Sequence, residues 1–67
     1  MYKIGEVLKV PVLIIKHDTG AERGYAFGVV LGESKTVEDA TELRVELEDE
    51  RFTVANIKNS DLQELNG

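Results

Sequence analysis

An unbroken alternation of apolar and charged side chains is the strongest structural signal in this chain. Every second residue from 43 to 47 is apolar: Leu43, Val45 and Leu47. The residues between and beside them are charged: Glu42, Arg44, Glu46 and Glu48. Period-two alternation is typical of a strand with one buried side and one solvent-facing side. Residues 49 and 50 then predict a turn, and residues 52–57 predict the returning strand of a hairpin.

Two further strand-like segments precede this hairpin. The first runs from about Ile4 to Lys16 and contains Pro11. Proline has no backbone N–H to donate in a sheet, so it indicates an edge position or a bulge that bends the strand. A long strand bent there would serve both sides of a small barrel. The second segment runs from Tyr25 to Leu31, after a polar loop at residues 17–24.

The predicted core takes one side of each strand and a leucine near the C-terminus. It comprises Leu8, Val10, Val12, Ile14, Phe27, Val29, Leu43, Val45, Leu47, Phe52, Val54 and Leu62. In the second strand this choice leaves Ala26, Gly28 and Val30 on the other side, where small residues allow another layer to approach closely. The segment around Leu62 and Leu65 is expected to form either one helical turn or a short last strand.

The length of 67 residues is enough for a single small domain, residues 1–67. With 42% apolar and 31% charged residues, the composition is that of a soluble globular chain. Cysteine is absent, so disulfides and cysteine-based zinc sites are excluded. No apolar run approaches the ~20 residues that span a membrane, and the N-terminus lacks the pattern of a secretory signal. A cytoplasmic protein without membrane contact is therefore expected.

The order of these elements resembles that of an SH3-like small β-barrel over roughly residues 4–65. The closest part is the segment from Leu43 to Leu65, where residues 57–62 (Ile-Lys-Asn-Ser-Asp-Leu) stand in the place of the short 3₁₀ turn before the last strand. The resemblance implies an all-β fold: a small, five-stranded, mainly antiparallel barrel with at most one or two short helical turns. It carries over no functional residues, because the paired-aromatic groove that grips polyproline in signalling SH3 domains has no counterpart here. The fold alone indicates no particular function.

The candidate catalytic and metal-binding patterns are weak. His17 and Asp18 form the only adjacent His–carboxylate pair, but neighbours on an extended chain point apart. Thr19–Gly24 has glycines four apart without the Lys-Ser/Thr of a phosphate-binding loop. Asp49 and Glu50 lack the spacing of a calcium loop. We therefore predict no catalytic, cofactor-binding or metal-binding residues and no cofactor.

Charge is distributed unevenly. The chain has a net charge of −5, yet residues 38–50 alone hold seven acids and one arginine. Because the acids of the alternating segment share one side of a strand, they are expected to form an exposed acidic face beside the turn. The predicted partner-binding residues are Glu42, Glu46, Glu48, Asp49 and Glu50.

This face suggests a non-enzymatic protein-interaction module that docks a protein with a basic surface or a second copy of itself. A face that serves only solubility is the simplest alternative. A second alternative is an acidic nucleic-acid mimic that inhibits a nucleic-acid-binding protein, as in small mobile-element proteins. A third is direct nucleic-acid binding, with Tyr25 and Phe27 as a stacking platform. The net charge opposes this last function, since phosphate contacts supply much of such affinity.

Overall fold

The computed structural model describes residues 2–67, apart from the side chain of Glu48. The elements follow in the order β1 (Val7–Lys16), β2 (Gly20–Glu33), β3 (Ala40–Glu46), a short 3₁₀ turn (Glu48–Glu50), β4 (Phe52–Lys58) and α1 (Asn59–Asn66). All strand pairs are antiparallel and join neighbours in sequence. The fold is thus a simple meander followed by a short helix.

The first two strands are much longer than the others. They pair from Val7↔Val29 to Lys16↔Gly20, whereas β2 pairs with β3 only from Gly28 to Glu33, with an irregularity between Val30 and Gly32. Beyond the β3 pairing, residues 13–23 project as a two-stranded arm. This arm helps to make the molecule elongated, with extents of 38 × 24 × 22 Å.

The predictions of a fifth strand and of closure into a barrel are wrong. Over residues 2–67 the sheet has four strands in the order β1-β2-β3-β4, and its two edge strands do not pair. After β4 the chain forms α1 instead of a fifth strand, and α1 packs against both β1 and β4. The helix occupies the space in which the two edges would have met. The SH3-like resemblance therefore holds only for a mostly β, antiparallel arrangement with little helix.

The core lies between one face of the sheet and α1. Five predicted core residues are buried there: Leu8, Val10, Leu43, Val45 and Leu62. Val30, which the sequence analysis placed on the opposite side, completes this cluster. Ala40 and Thr41 are also buried.

The predicted core is wrong for the rest of the sheet. Val12 and Val29 are half-buried, and the remaining predicted core residues are exposed: Ile14, Phe27, Leu47, Phe52 and Val54. The two faces of β2 and of β4 are reversed relative to the prediction. Gly28 explains the choice on β2, because it brings the backbone close to Val10 and Leu43 under the helix. Tyr25, Phe27 and Val29 of β2 consequently lie on the other face.

Hydrogen bonds attach both ends of α1 to the sheet. At its start, the amide of Asn59 donates to the backbone oxygen of Asp39 at 2.9 Å, and the Thr41 hydroxyl donates to Asn59 Oδ1 at 2.6 Å. At its end, Asn66 Oδ1 accepts from the backbone N–H of Lys9 and Asn66 Nδ2 donates to the Lys9 carbonyl, both at 2.8 Å. The backbone N–H and C=O of Lys9 thus point away from β2. Pro11 is two residues further along β1, so an N–H at that position would also point away from β2, and its absence removes no hydrogen bond between the strands. The edge position predicted for Pro11 is confirmed.

Candidate functional site

The side of the sheet turned away from α1 is the candidate site, and we call it the outer face. Directly paired residues of antiparallel strands point to the same side, so the registers define its members. They are Val7, Lys9, Pro11, Leu13, Ile15, Ala21, Arg23, Tyr25, Phe27, Val29, Gly32, Ala40, Glu42, Arg44, Glu46, Phe52, Val54, Asn56 and Lys58.

Large apolar side chains of this face are open to solvent. Tyr25 is 52% exposed, Phe27 53% and Phe52 55%. Val7 and Val54 are exposed to a similar degree. Isolated exposed apolar residues are ordinary, but contiguous ones on a rigid sheet mark an interaction surface.

The aromatic rings have specific neighbours. Tyr25 and Phe27 pack edge to face, with ring centroids 5.6 Å apart and an interplanar angle of 87°. Lys9 Nζ lies 5.0 Å from the Tyr25 centroid, and Arg44 Cζ lies 3.7 Å from the Phe52 centroid. Cations over ring faces are attracted by the ring quadrupole. These contacts hold the rings in place while leaving much of their surface accessible.

The predicted acidic residues lie partly on this face and partly beside it. Glu46 is exposed and Glu42 half-buried, with Arg44 between them on β3. Asp49 and Glu50 are exposed in the turn that leads into Phe52, and Arg51 Nη2 lies 3.5 Å from Asp49 Oδ2. The Glu48 side chain is outside the part of the chain that the structure describes. The acids therefore lie along one half of the outer face and its rim, interrupted by a cation.

The cations of the outer face lie on both halves. Lys9 and Arg23 are on β1 and β2, Arg44 is on β3 and Lys58 is on β4. The face as defined thus carries four cations and two acids, although the whole chain has a net charge of −5. The outer face has mixed charge, and the remaining surface is strongly acidic.

The patterns considered for catalysis lie on the arm. His17 and Asp18 are exposed in the turn at its tip, and Thr19–Gly24 runs from this turn into β2 instead of forming a loop. Beside the arm, a groove of about 390 Å³ separates the strand segments at residues 11–13 and 23–24 from Asp61, Glu64 and Leu65 of α1. Over residues 2–67, apart from Glu48, acidic and histidine side chains form no group of three able to hold a metal ion.

Sequence patterns offered Tyr25 and Phe27 only as a stacking platform for bases. The rest of this apolar surface was not expected, because Phe27, Phe52 and Val54 were predicted to lie in the core. The alternation of side chains along the strands did indicate which side faces solvent. Lys9 shares its side of β1 with Pro11, and Arg44 lies between two acids, so both cations mark a solvent-facing side of their strands. Correct strand pairing would have placed the aromatic residues on that same side.

Comparison with known proteins adds no relative: no protein-family model matches the chain, and neither a curated protein nor a solved structure is significantly similar to it. Within residues 2–67, the helix is too short and too polar to cross a membrane.

Proposed function

We propose that this protein is a non-enzymatic protein-interaction module that docks through the outer face of its sheet. The observation that carries the proposal is the set of three half-exposed aromatic rings on one rigid face. Aromatic residues and arginine are enriched in the anchoring positions of protein interfaces. Tyr25, Phe27, Phe52 and Arg44 provide that combination here.

The accessible apolar surface is large enough to support docking. An aromatic side chain carries roughly 150–250 Å² of surface, so three half-exposed rings present on the order of 300 Å². Its burial contributes roughly 7 kcal/mol at about 25 cal/mol per Å². Loss of translational and rotational freedom offsets much of this, so neighbouring valines and charged residues are needed for a stable complex.

The geometry of the rings favours a protein over a nucleic acid. A base binds by stacking on an open ring face. Arg44 covers a face of Phe52, and Tyr25 has Lys9 over its ring and Phe27 packed edge to face. The exposed ring edges and valines suit the irregular apolar surface of a protein partner.

The acids on and beside the face define the charge that the partner presents. Glu46, Asp49 and Glu50 are exposed next to Phe52. Basic groups at the partner's rim would face them, and this attraction mainly accelerates association. Their part in binding therefore decreases as salt increases.

Affinity capture with matched baits tests the proposal. Wild type and Phe27→Thr/Phe52→Thr are immobilised, with Val37→Thr as a control in the β2–β3 connection. We expect proteins, a differently tagged copy of this chain included, to be retained by wild type and Val37→Thr and lost with the double variant. Identical recovery on all three baits would contradict docking through the outer face.

Salt dependence tests the acidic part of the proposal. Glu46→Gln should reduce recovery at low salt and leave it unchanged at high salt, because the carboxylate acts through screened attraction. Lys35→Gln, a charge change in the β2–β3 connection, is the control. Equal recovery on Glu46→Gln and wild type at low salt would remove Glu46 from the docking surface.

A further inference from the structure

We infer that the partner on the outer face is a second copy of the chain, packed sheet to sheet; this inference rests on the proposed function. Two-fold symmetry makes such an interface use the same patch of both copies. The patch must therefore be complementary to itself in charge and large enough to hold two copies together. The outer face meets these conditions in its net charge, in the placement of its charges and in its area.

The first is charge. With four cations and two acids on the outer face, the rest of the chain carries four cations and eleven acids. Two copies approaching through any other surface therefore bring acidic surfaces together, which is unfavourable. The outer face is the side on which two such acidic proteins repel least.

The second is the placement of the charges. On this face the β1–β2 half carries Lys9 and Arg23 and no acid, whereas Glu42 and Glu46 are on β3, beside Arg44 and Lys58. A two-fold axis parallel to the strands, between β2 and β3, places the β1–β2 half of each copy over the β3–β4 half of the other. The half that carries only cations then faces the half that carries both acids of the face, and does so twice.

The arm gives this arrangement a further contact. Arg23 lies on β2 beyond the end of β3, and the turn with Asp49 and Glu50 lies beyond the same end of β3. The axis described above carries Arg23 of one copy over the turn of the other. The exposed side chains of Leu13 and Ile15 on the neighbouring strand extend the apolar contact along the arm.

The third is area. Four strands spaced ~4.8 Å apart, each about seven residues long at ~3.3 Å per residue, present about 440 Å². The two-stranded arm adds roughly 130 Å² on the same dimensions. Two copies together thus bury on the order of 1,200 Å², the lower end of the range for specific interfaces. A dimer that dissociates at micromolar concentrations is expected.

Sedimentation equilibrium over micromolar to millimolar concentrations is the first test. We expect wild type and the control Val37→Thr to form dimers, and Phe27→Thr/Phe52→Thr to remain monomeric with an unchanged circular-dichroism spectrum. If that variant does not fold, Val54→Thr replaces it and should weaken dimerisation at least tenfold.

Two other results of this measurement would overturn the inference. A wild-type protein that is monomeric throughout excludes the second copy, while the capture experiment continues to decide the proposed function. A dimer that persists in the folded double variant places self-association elsewhere on the surface.

Charge exchange tests the relative placement of the copies. Arg23→Glu and Asp49→Lys/Glu50→Lys should each weaken dimerisation at least tenfold in low salt, since each brings like charges together. An equimolar mixture of the two variants should recover most of the lost association, because both arm–turn contacts of the mixed dimer are again between opposite charges. Failure of the mixture to associate better than either variant alone would overturn the two-fold arrangement.

Discussion

Two glycines of β2 show how a single residue decides which face of the sheet is buried. A Cβ atom at Gly28 would lie 2.9 Å from Val10 Cγ2 and 3.3 Å from two atoms of Leu43. Both neighbours are fully buried, so neither has space to move. A Cβ atom at Gly24 would meet only the end of the partly exposed Ile14 side chain, at 2.7 Å. The backbone of β2 can therefore approach the core at Gly28 only because a side chain is missing there.

Alanine substitutions at these glycines should have different effects. We expect Gly28→Ala to lower the free energy of unfolding by about 1–3 kcal/mol, because it overpacks the core. Gly24→Ala should change it by less than about 1 kcal/mol, since Ile14 can rotate into solvent and the unfolded chain loses freedom. Urea denaturation of both variants measures the difference. Equal losses would contradict the packing described for Gly28.

The turn between β3 and β4 contains backbone strain. Asp49 and Glu50 have φ angles of 68° and 59°, in the left-handed region that favours glycine. We expect Glu50→Gly to raise the free energy of unfolding by about 1 kcal/mol as this strain is relieved. Glu46→Gly, the same change in an extended strand, should lower it by about 0.5–1 kcal/mol. Denaturant midpoints that move in the same direction for both would argue against strain at Glu50.

At the scale of elements, α1 is held to the sheet as much by its ends as by its buried face. Leu62 is the one residue of α1 that is fully buried, and it lies in the core cluster. Asn66 supplies the other attachment. Its side chain pairs with both main-chain groups of Lys9 and also donates to the Leu62 carbonyl, at 2.8 Å in each case. Asn66 thus acts as a strand partner for the outer edge of β1.

Loss of this amide should loosen the helix and expose the edge of β1. We expect Asn66→Ala to lower the free energy of unfolding by about 1–2 kcal/mol, because partly exposed hydrogen bonds are lost. Gln63→Ala, at an exposed position of α1, should change it by less than about 0.5 kcal/mol. Hydrogen exchange at the Lys9 amide should accelerate in the first variant alone. An unchanged exchange rate would show that Asn66 does not protect the edge.

The same substitution, valine to aspartate, distinguishes the two faces of the β3–β4 hairpin when it is made once on each face. Val45 is 3% exposed under α1, and Val54 is 55% exposed on the outer face. Val45→Asp should unfold the domain, because an unpaired buried charge costs several kcal/mol against a total stability of roughly 3–7 kcal/mol. Val54→Asp should leave the monomer folded and abolish dimerisation. A circular-dichroism melt of each variant checks the pair, and a folded Val45→Asp would mean that the buried face is misassigned.

At the scale of the whole molecule, one helix covers one side of a four-stranded sheet that is apolar on both sides. Within residues 2–67, the core cluster of buried residues has only six members. Small domains with few buried residues gain stability from association. Dimerisation through the outer face would give the sheet a second apolar layer, as in a β-sandwich.

Coupling of stability to association gives a prediction for the intact protein. The melting temperature of wild type should rise by a few degrees for each tenfold increase in concentration, since a folded dimer is favoured by mass action. Phe27→Thr/Phe52→Thr should melt at a temperature independent of concentration. A wild-type melting temperature that does not move over two decades of concentration would contradict the coupling.

Much of the local structure follows directly from the sequence. The alternation around Val45 predicts β3 and its buried side, and the acids at 49 and 50 predict the turn; both are confirmed. Pro11 predicts an edge position or a bulge, and the structure shows the edge position. The acidic character of β3 and of the turn was equally predictable, because strand parity depends only on sequence order. Whether that acidic surface binds a partner stays a prediction.

Tertiary structure decided which side of β2 and β4 is buried and whether the sheet closes. Phe27 and Val30 are both apolar and lie on opposite sides of β2, so periodicity cannot show which of the two side chains is buried. The choice depends on where α1 packs. Leu62 of α1 packs in one cluster with Val10 and Leu43, whose side chains fill the space left at Gly28, and Asn59 and Asn66 find backbone partners at the two ends of the helix. These are contacts between residues as many as 57 positions apart in the chain. A pattern read within a window of about ten residues does not contain them, and for that reason the outer face emerged only from the folded chain.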